Sequence, residues 1–208
     1  RNTEDQFLSL DFPDTPFQCV LKLESDSAGE LYGIYLDRQD SGIVYNMIGV
    51  NGAKFEHYNI SRFFFTQLKS LNSDLLIVSL GTNESIHPIY DSLKVLESVN
   101  HFLDSLKYYY PDAQLLMNLN PDAYINRKPN DRASEINQML LNVCRERNLP
   151  YFNTFKLMKE GGGIENWRQS GLANRDLIHL VEPGYHLMAD FLYHSLMKAY
   201  EDHRADME

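Results

Sequence analysis

The sequence predicts an α/β fold with a mostly parallel sheet, preceded by a few antiparallel strands, and three observations lead there. Short runs rich in Val, Leu, Ile and Tyr, separated by turn-prone residues, occupy the start of the chain. From about residue 43 the pattern changes to apolar strands alternating with amphipathic helices, the arrangement of a parallel sheet with helical crossovers. Loops carrying Gly, Asn, Asp or His follow several of these runs. In open sheets of this kind ligands bind at the carboxyl ends of the strands.

Residues 1–16 have no clear periodicity and read as an extended lead-in. Residues 17–23 and 31–36, with Glu24-Ser25-Asp26-Ser27-Ala28-Gly29 between them, spell a hairpin or two neighbouring antiparallel strands. After the turn Arg38-Gln39-Asp40-Ser41-Gly42, the run Ile43-Val44-Tyr45-Asn46-Met47-Ile48-Gly49-Val50 is expected to be a strand. A helix is expected over about 58–71, where Ile60, Phe63, Phe64, Leu68 and Leu71 share a face. Leu75-Leu76-Ile77-Val78-Ser79-Leu80 is too apolar for a half-exposed strand and should be central, covered on both faces.

A long helix from near Pro88 should bury Leu93, Leu96, Val99, Phe102, Leu103 and Leu106 and stop at Pro111. Leu115-Leu116-Met117-Asn118-Leu119 is the next strand, and the loop over 120–130 carries turn chemistry. Asp131 is expected to cap a helix reaching about Arg147, with Ile136, Leu140, Val143 and Cys144 inward. Tyr151-Phe152-Asn153 is a short last strand, and residues 155–158 a helical turn closed by Gly161-Gly162-Gly163. That triple glycine lacks the surroundings of a phosphate loop and reads as a flexible helix end. Residues 164–172 form another short helix. Pro183 then starts a terminal helix in which Tyr185, Met188, Phe191, Leu192 and Leu196 recur at helical spacing.

With 208 residues the chain can bury a full core, and its net charge of −10 argues against a nucleic-acid partner, which needs a basic stripe. Cys19 and Cys144 stand far apart in no metal-ligand spacing, and no stretch approaches the roughly 20 apolar residues that span a bilayer. No metal or cofactor is implied. His57, His87, His101, His186, His194 and His203 do not cluster in the sequence. Tyr108-Tyr109-Tyr110 at a helix end suits anchoring and core packing. Trp167 either packs in the core or walls a sugar-binding cleft.

Three loops could carry chemistry. In Asp176-Leu177-Ile178-His179 a curled loop lets a carboxylate reach the imidazole Nδ1, which fixes the tautomer and leaves Nε2 to accept a proton. A carboxylate capping a turn beside a packed histidine is the plainer alternative for this motif by itself. In Gly49-Val50-Asn51-Gly52-Ala53 glycine lets backbone approach a ligand, and Gly52 can offer its N–H. Gly81-Thr82-Asn83-Glu84 follows the most apolar strand and offers the Asn83 amide.

Taken together and in this order, the three blocks resemble those of the SGNH, or GDSL-like, hydrolases. Residues 46–53 match the glycine block, 81–84 the asparagine block and 176–179 the D-x-x-H block. The resemblance covers about residues 43–200 and implies a flavodoxin-like three-layer sandwich. It also implies the Gly52 N–H and Asn83 Nδ2 as oxyanion-hole donors, His179 as general base then acid, and Asp176 as its orienter. The G-D-S serine block is absent. Asp40-Ser41-Gly42 reads as a turn, and Ser79 and Ser85 as strand and loop residues, so the nucleophile is unknown and not in this chain.

Further strings, among them Leu31-Tyr32-Gly33-Ile34-Tyr35-Leu36, Asn120-Pro121-Asp122 and Asn166-Trp167, are similar to a secreted bacterial subgroup of peptidoglycan O-acetylesterases. There a β-rich, carbohydrate-binding-like module can separate the serine and glycine blocks. The resemblance implies that residues 1–40 end such a module and that 41–208 form the hydrolase-like domain without its first strand. That strand would lie between 43–50 and 75–80. A complementing segment or chain carrying the serine is then expected, with an acylated carbohydrate or other ester as substrate and an extracellular or periplasmic location. An O-acyltransferase with the same site and a non-catalytic carbohydrate-binding or scaffold domain are the competing functions.

Overall fold

The computed structural model describes residues 10–12, 18, 20–22, 24, 31–36 and 41–207. In chain order the elements are helices α1 (Phe55–Ile60) and α2 (Phe64–Leu68), a turn of 3-10 helix (Lys69–Leu71), strand β1 (Leu75–Val78), and helices α3 (Thr82–Ile86) and α4 (Ser92–Tyr109). Strand β2 (Gln114–Asn118), the hairpin β3 (Tyr124–Ile125) and β4 (Lys128–Pro129), helix α5 (Asp131–Glu146) and strand β5 (Tyr151–Phe152) follow. Helices α6 (Thr154–Glu160), α7 (Gly163–Gln169) and α8 (Glu182–Met207) complete the order.

The parallel sheet runs β1-β2-β5 and is flanked by helices, while β3 and β4 form a separate antiparallel pair. Successive strand side chains face opposite ways. Leu115, Leu116 and Met117 are all buried, so β2 is covered on both faces. Its inner residues join Phe55, Phe65, Val99, Phe102, Leu103 and Leu106 from α1, α2 and α4, and Ile136, Leu140, Val143 and Cys144 from α5, in one core. A smaller core holds Met158, Ile164, Trp167, Ala173 and Leu177. Trp167 is therefore a packing residue, 5% exposed.

Several expectations are corrected. Residues 43–50 form no strand among the described residues and stand exposed, Ile43 at 97% and Met47 at 82%. Their apolar, β-prone composition has no neighbouring strand to pair with, and pairing makes a strand. For the same reason β1 is not central: it pairs only with β2 among the described residues, and Leu75 and Ile77 on one face are 42% and 39% exposed. Residues 31–36 also carry no strand, as do the described residues of 17–23; the rest of that hairpin lies outside the described residues.

The expected helix over 58–71 is broken at residues 61–63, and Ile60 points outward at 80% exposure. Helix α4 begins at Ser92 rather than near Pro88 because Asp91 caps it, accepting from the N–H groups of Leu93 and Lys94. Leu93, in that first turn, is exposed. Asn130, not Asp131, caps α5 by accepting from the Arg132 N–H. Tyr110 is buried and Tyr109 stacks on Phe65, whereas Tyr108 is exposed.

The triple glycine is a tight corner joining α6 to α7. Gly162 and Gly163 hold φ of 88° and 77°, and a Cβ on Gly163 would meet Asp122 Oδ2 at 3.0 Å. Asp122, 1% exposed, is fixed there by the Ile164 N–H (2.8 Å) and the Lys159 ammonium (2.9 Å). The loop after β2 thereby holds α6 and α7, which lead into residues 170–181. Among the described residues no helix is long and apolar enough to cross a membrane.

Candidate active site

The glycine loop is a tight turn. The Ala53 N–H donates to Val50 O (3.0 Å), and Gly52, third in the turn, has φ +77°, which favours glycine. Nothing among the described residues lies within 4 Å of where a Gly52 Cβ would be, so the backbone there is open to a ligand.

After β1 the chain turns at Gly81, with φ +117°. A Cβ there would press on Asn120, Ile136 and Leu140 at 3.2–3.3 Å, so glycine lets α3 start against α5. Asn83 then donates from Nδ2 to Ala53 O at 2.8 Å. An amide nitrogen carries two protons, so this bond leaves one for a ligand.

Its neighbour Glu84 has a role the sequence reading missed. The side chain is 4% exposed, and Oε1 accepts from the Phe55 N–H at 2.7 Å. Adjacent side chains of the asparagine block thus grip the two ends of residues 53–55. Burial raises the Glu84 carboxyl above its ordinary range, against the N–H groups of Phe55, Glu84 and Gly81, which favour the charged form. The available signal was a carboxylate beside the proposed oxyanion residue, straight after an apolar strand.

The acid and the imidazole sit on a loop closed by an Ala173–Leu180 bridge and by the Asn174 N–H donating to His179 O (2.8 Å). Asp176 Oδ1 accepts from the N–H groups of Ile178 (2.9 Å) and His179 (3.0 Å), and Oδ2 lies 2.8 Å from His179 Nδ1. A carboxylate can only accept, so Nδ1 carries the proton and Nε2 is the basic nitrogen. Partial burial raises the Asp176 carboxyl, but the His179 N–H, the His179 ring and the Ile178 N–H together hold it below its ordinary value.

The curl depends on Leu177, whose φ is +58°. A left-handed backbone costs a side-chain-bearing residue about 1–2 kcal/mol. Leu177 is 5% exposed in the smaller core, and burying leucine contributes about 1.5–3 kcal/mol, enough to offset the strain. The Tyr124 N–H donates to Leu177 O at 2.8 Å, tying the loop to the segment that follows β2. Beyond it, α8 approaches so closely that a Cβ on Gly184 would lie 1.9 Å from Leu172 O.

The structure thus joins Gly52 to Asn83 through Ala53, and Asp176 to His179. No hydrogen bond connects the two pairs among the described residues; they share the carboxyl edge of the sheet, one after β1 and one clasped by the loop after β2. Among the described residues, none of Ser41, Ser79 and Ser85 hydrogen-bonds to His179. Ser85 is buried, donating to Thr82 O and accepting from Asn130, and Ser79 Oγ accepts from Asn118 Nδ2. Ser41 lies exposed in a bend.

A parallel α/β sheet carrying these three loops defines a class, and the family comparison agrees with it. The chain belongs to the GDSL-like lipase/acylhydrolase family, whose model matches residues 24–187. Among solved structures it is similar to a peptidoglycan O-acetylesterase, with a TM-score of 0.67 and 24% identity over 73% of this chain and 45% of that one. It is also similar to a lipase/acylhydrolase from Enterococcus faecalis, with a TM-score of 0.55 and 16% identity over 70% of this chain and 71% of the other. A carbohydrate esterase family 3 protein from Talaromyces cellulolyticus gives 0.54 and 14% identity over 73% and 70%. These likenesses are of fold, and the chain spans about 45% of the O-acetylesterase's length. No curated protein sequence matches it.

Proposed function

We propose that the protein is an SGNH-type ester hydrolase that removes O-acyl groups, foremost O-acetyl, from carbohydrate or cell-wall glycan outside the cytoplasm. The observation that carries this reading is the Asp176–His179 pair, in which Oδ2 holds Nδ1 at 2.8 Å and leaves Nε2 available. In the reaction, a serine hydroxyl attacks the ester carbonyl carbon while His179 Nε2 takes its proton. The carbonyl oxygen becomes an oxyanion, received by the Gly52 N–H and the second Asn83 Nδ2 proton. His179 then gives the proton to the departing sugar oxygen as the carbon–oxygen bond breaks. Water, deprotonated by the same nitrogen, attacks the acyl carbon, and the nitrogen returns that proton to the serine oxygen as the acyl–oxygen bond breaks and the acyl group leaves as a carboxylic acid.

The serine comes, in this proposal, from a segment outside residues 1–208 that pairs with β1. The free edge of β1 supports it: the strand is apolar and, among the described residues, paired on one side alone. Unpaired strand edges capture further strands. Residues 1–40 belong, on this reading, to the end of a β-rich module that precedes the hydrolase domain of 41–208.

The test is hydrolysis of p-nitrophenyl acetate by the polypeptide that includes the complementing segment. His179→Ala should abolish turnover, and an unchanged rate would remove His179 as the base. An O-acetylated glycan as substrate, with acetate release measured, then separates carbohydrate esters from simple aryl esters.

A further inference from the structure

Leu177 has an unusual combination of features for a loop residue between an acid and a histidine. It is a leucine at φ +58°, it is 5% exposed, and its carbonyl accepts from the Tyr124 N–H at 2.8 Å. Its own N–H donates to Asn174 O at 3.1 Å. Its side chain belongs to the cluster of Met158, Ile164, Trp167 and Ala173, while the residues on either side, Asp176 and Ile178, do not. The geometry points to Leu177 as the positioning residue of the proton-accepting pair.

With φ at Leu177 left-handed, the chain folds back within one residue, so that the next two N–H groups, of Ile178 and His179, both face Asp176 Oδ1. That leaves Oδ2 directed at the ring. A right-handed residue can also present the next two N–H groups to an aspartate, as Ser92 does for Asp91 at the start of α4, but it continues a helical turn, whereas the left-handed Leu177 returns the chain to the Ala173–Leu180 bridge that closes the loop and fixes where the pair sits. A branched residue adopts this φ reluctantly. What holds it is the buried side chain on one side and the Tyr124 N–H on the other.

Leu177 thus connects the smaller core to the tautomer of His179. Trp167 and Ile164, which touch no reacting group, act on the site through it. The inference rests on the reading of His179 as the base, and it identifies what keeps the base ready before any substrate arrives.

Nuclear magnetic resonance on the isotope-labelled chain tests this without requiring turnover. Long-range nitrogen–proton correlations report which ring nitrogen of His179 carries the proton, and the side-chain carboxyl carbon reports the Asp176 titration. Leu177→Ala keeps the backbone penalty and deletes the anchor, and Leu177→Met retains a side chain of similar volume. The wild type and Leu177→Met should show His179 protonated at Nδ1. Leu177→Ala should show mixed tautomers and an Asp176 midpoint about one pH unit higher, a tenfold change in proton affinity.

If Leu177→Ala does not fold, Leu177→Gly, which carries no backbone penalty, decides the question and should show the same loss. A folded Ala or Gly variant with the wild-type tautomer and midpoint overturns the inference, even where its stability is lower. That failure is distinct from failure of the proposed function, which would show as ester turnover indifferent to His179→Ala.

Discussion

Glu84→Gln should flatten the pH dependence of stability and make the protein more stable near neutral pH. Burial raises the Glu84 carboxyl above its ordinary 4.5, so the folded state holds this proton more tightly than the unfolded chain does. Stability from this group is therefore fully present below about 4.5 and is lost as pH climbs to the raised folded value. Each pH unit of displacement weakens the charged folded state by about 1.4 kcal/mol. Glutamine removes the charge and keeps an acceptor for the Phe55 N–H, now met at 2.7 Å. Alanine removes both, and since Phe55 is fully buried its N–H would lose its partner, at a cost of about 1–3 kcal/mol.

Urea unfolding of wild type, Glu84→Gln and Glu84→Ala at a series of values between about pH 4 and 8 reads this directly. The advantage of the glutamine variant over wild type should grow with pH, and alanine should lie below glutamine throughout. A wild-type-to-glutamine difference that is the same at every pH would refute the buried-carboxylate argument. Alanine and glutamine variants of equal stability would refute the clamp on Phe55.

Asp176 has the opposite sign. Its carboxyl is held below the ordinary 3.8, so its contribution is present above that value and lost as pH falls through the folded one; Asp176→Asn should flatten the acid limb of the stability curve. Asn83→Ala should cost about 1 kcal/mol in unfolding experiments for the lost bond to Ala53 O. In a polypeptide extended to carry the proposed serine segment, the same substitution should lower kcat on the order of 100-fold. Gly184→Ala puts a methyl group into the Leu172 carbonyl and should destabilise by at least about 1–3 kcal/mol, read as a lower urea midpoint; a neutral result would show that α8 can shift freely.

The sequence reading succeeded where local chemistry determines structure. Strand β2, helix α5 with its buried Ile136, Leu140, Val143 and Cys144, and the curled Asp176–His179 loop all follow from periodicity or from short-range hydrogen bonding. It failed where a neighbour decides. Residues 43–50 have strand composition, but strand structure needs a partner, and composition cannot supply one. Helix α4 begins at its Asp91 cap because capping outweighs the pull of Pro88. The bond from Asn83 to Ala53, and that from Phe55 to Glu84, cross about thirty residues of chain, so nothing in the local pattern reveals them. Leu177 was legible as an apolar residue but not as a left-handed one.

The central claim is that Asp176 and His179 form the base end of a serine esterase whose nucleophile lies outside residues 1–208. The most direct measurement is the initial rate of p-nitrophenyl acetate hydrolysis by these residues alone and by a polypeptide extended to include the segment that pairs with β1, each with and without His179→Ala. The account predicts no turnover above buffer for residues 1–208, and turnover in the extended protein that His179→Ala abolishes. Turnover by residues 1–208 alone that disappears in His179→Ala would contradict it.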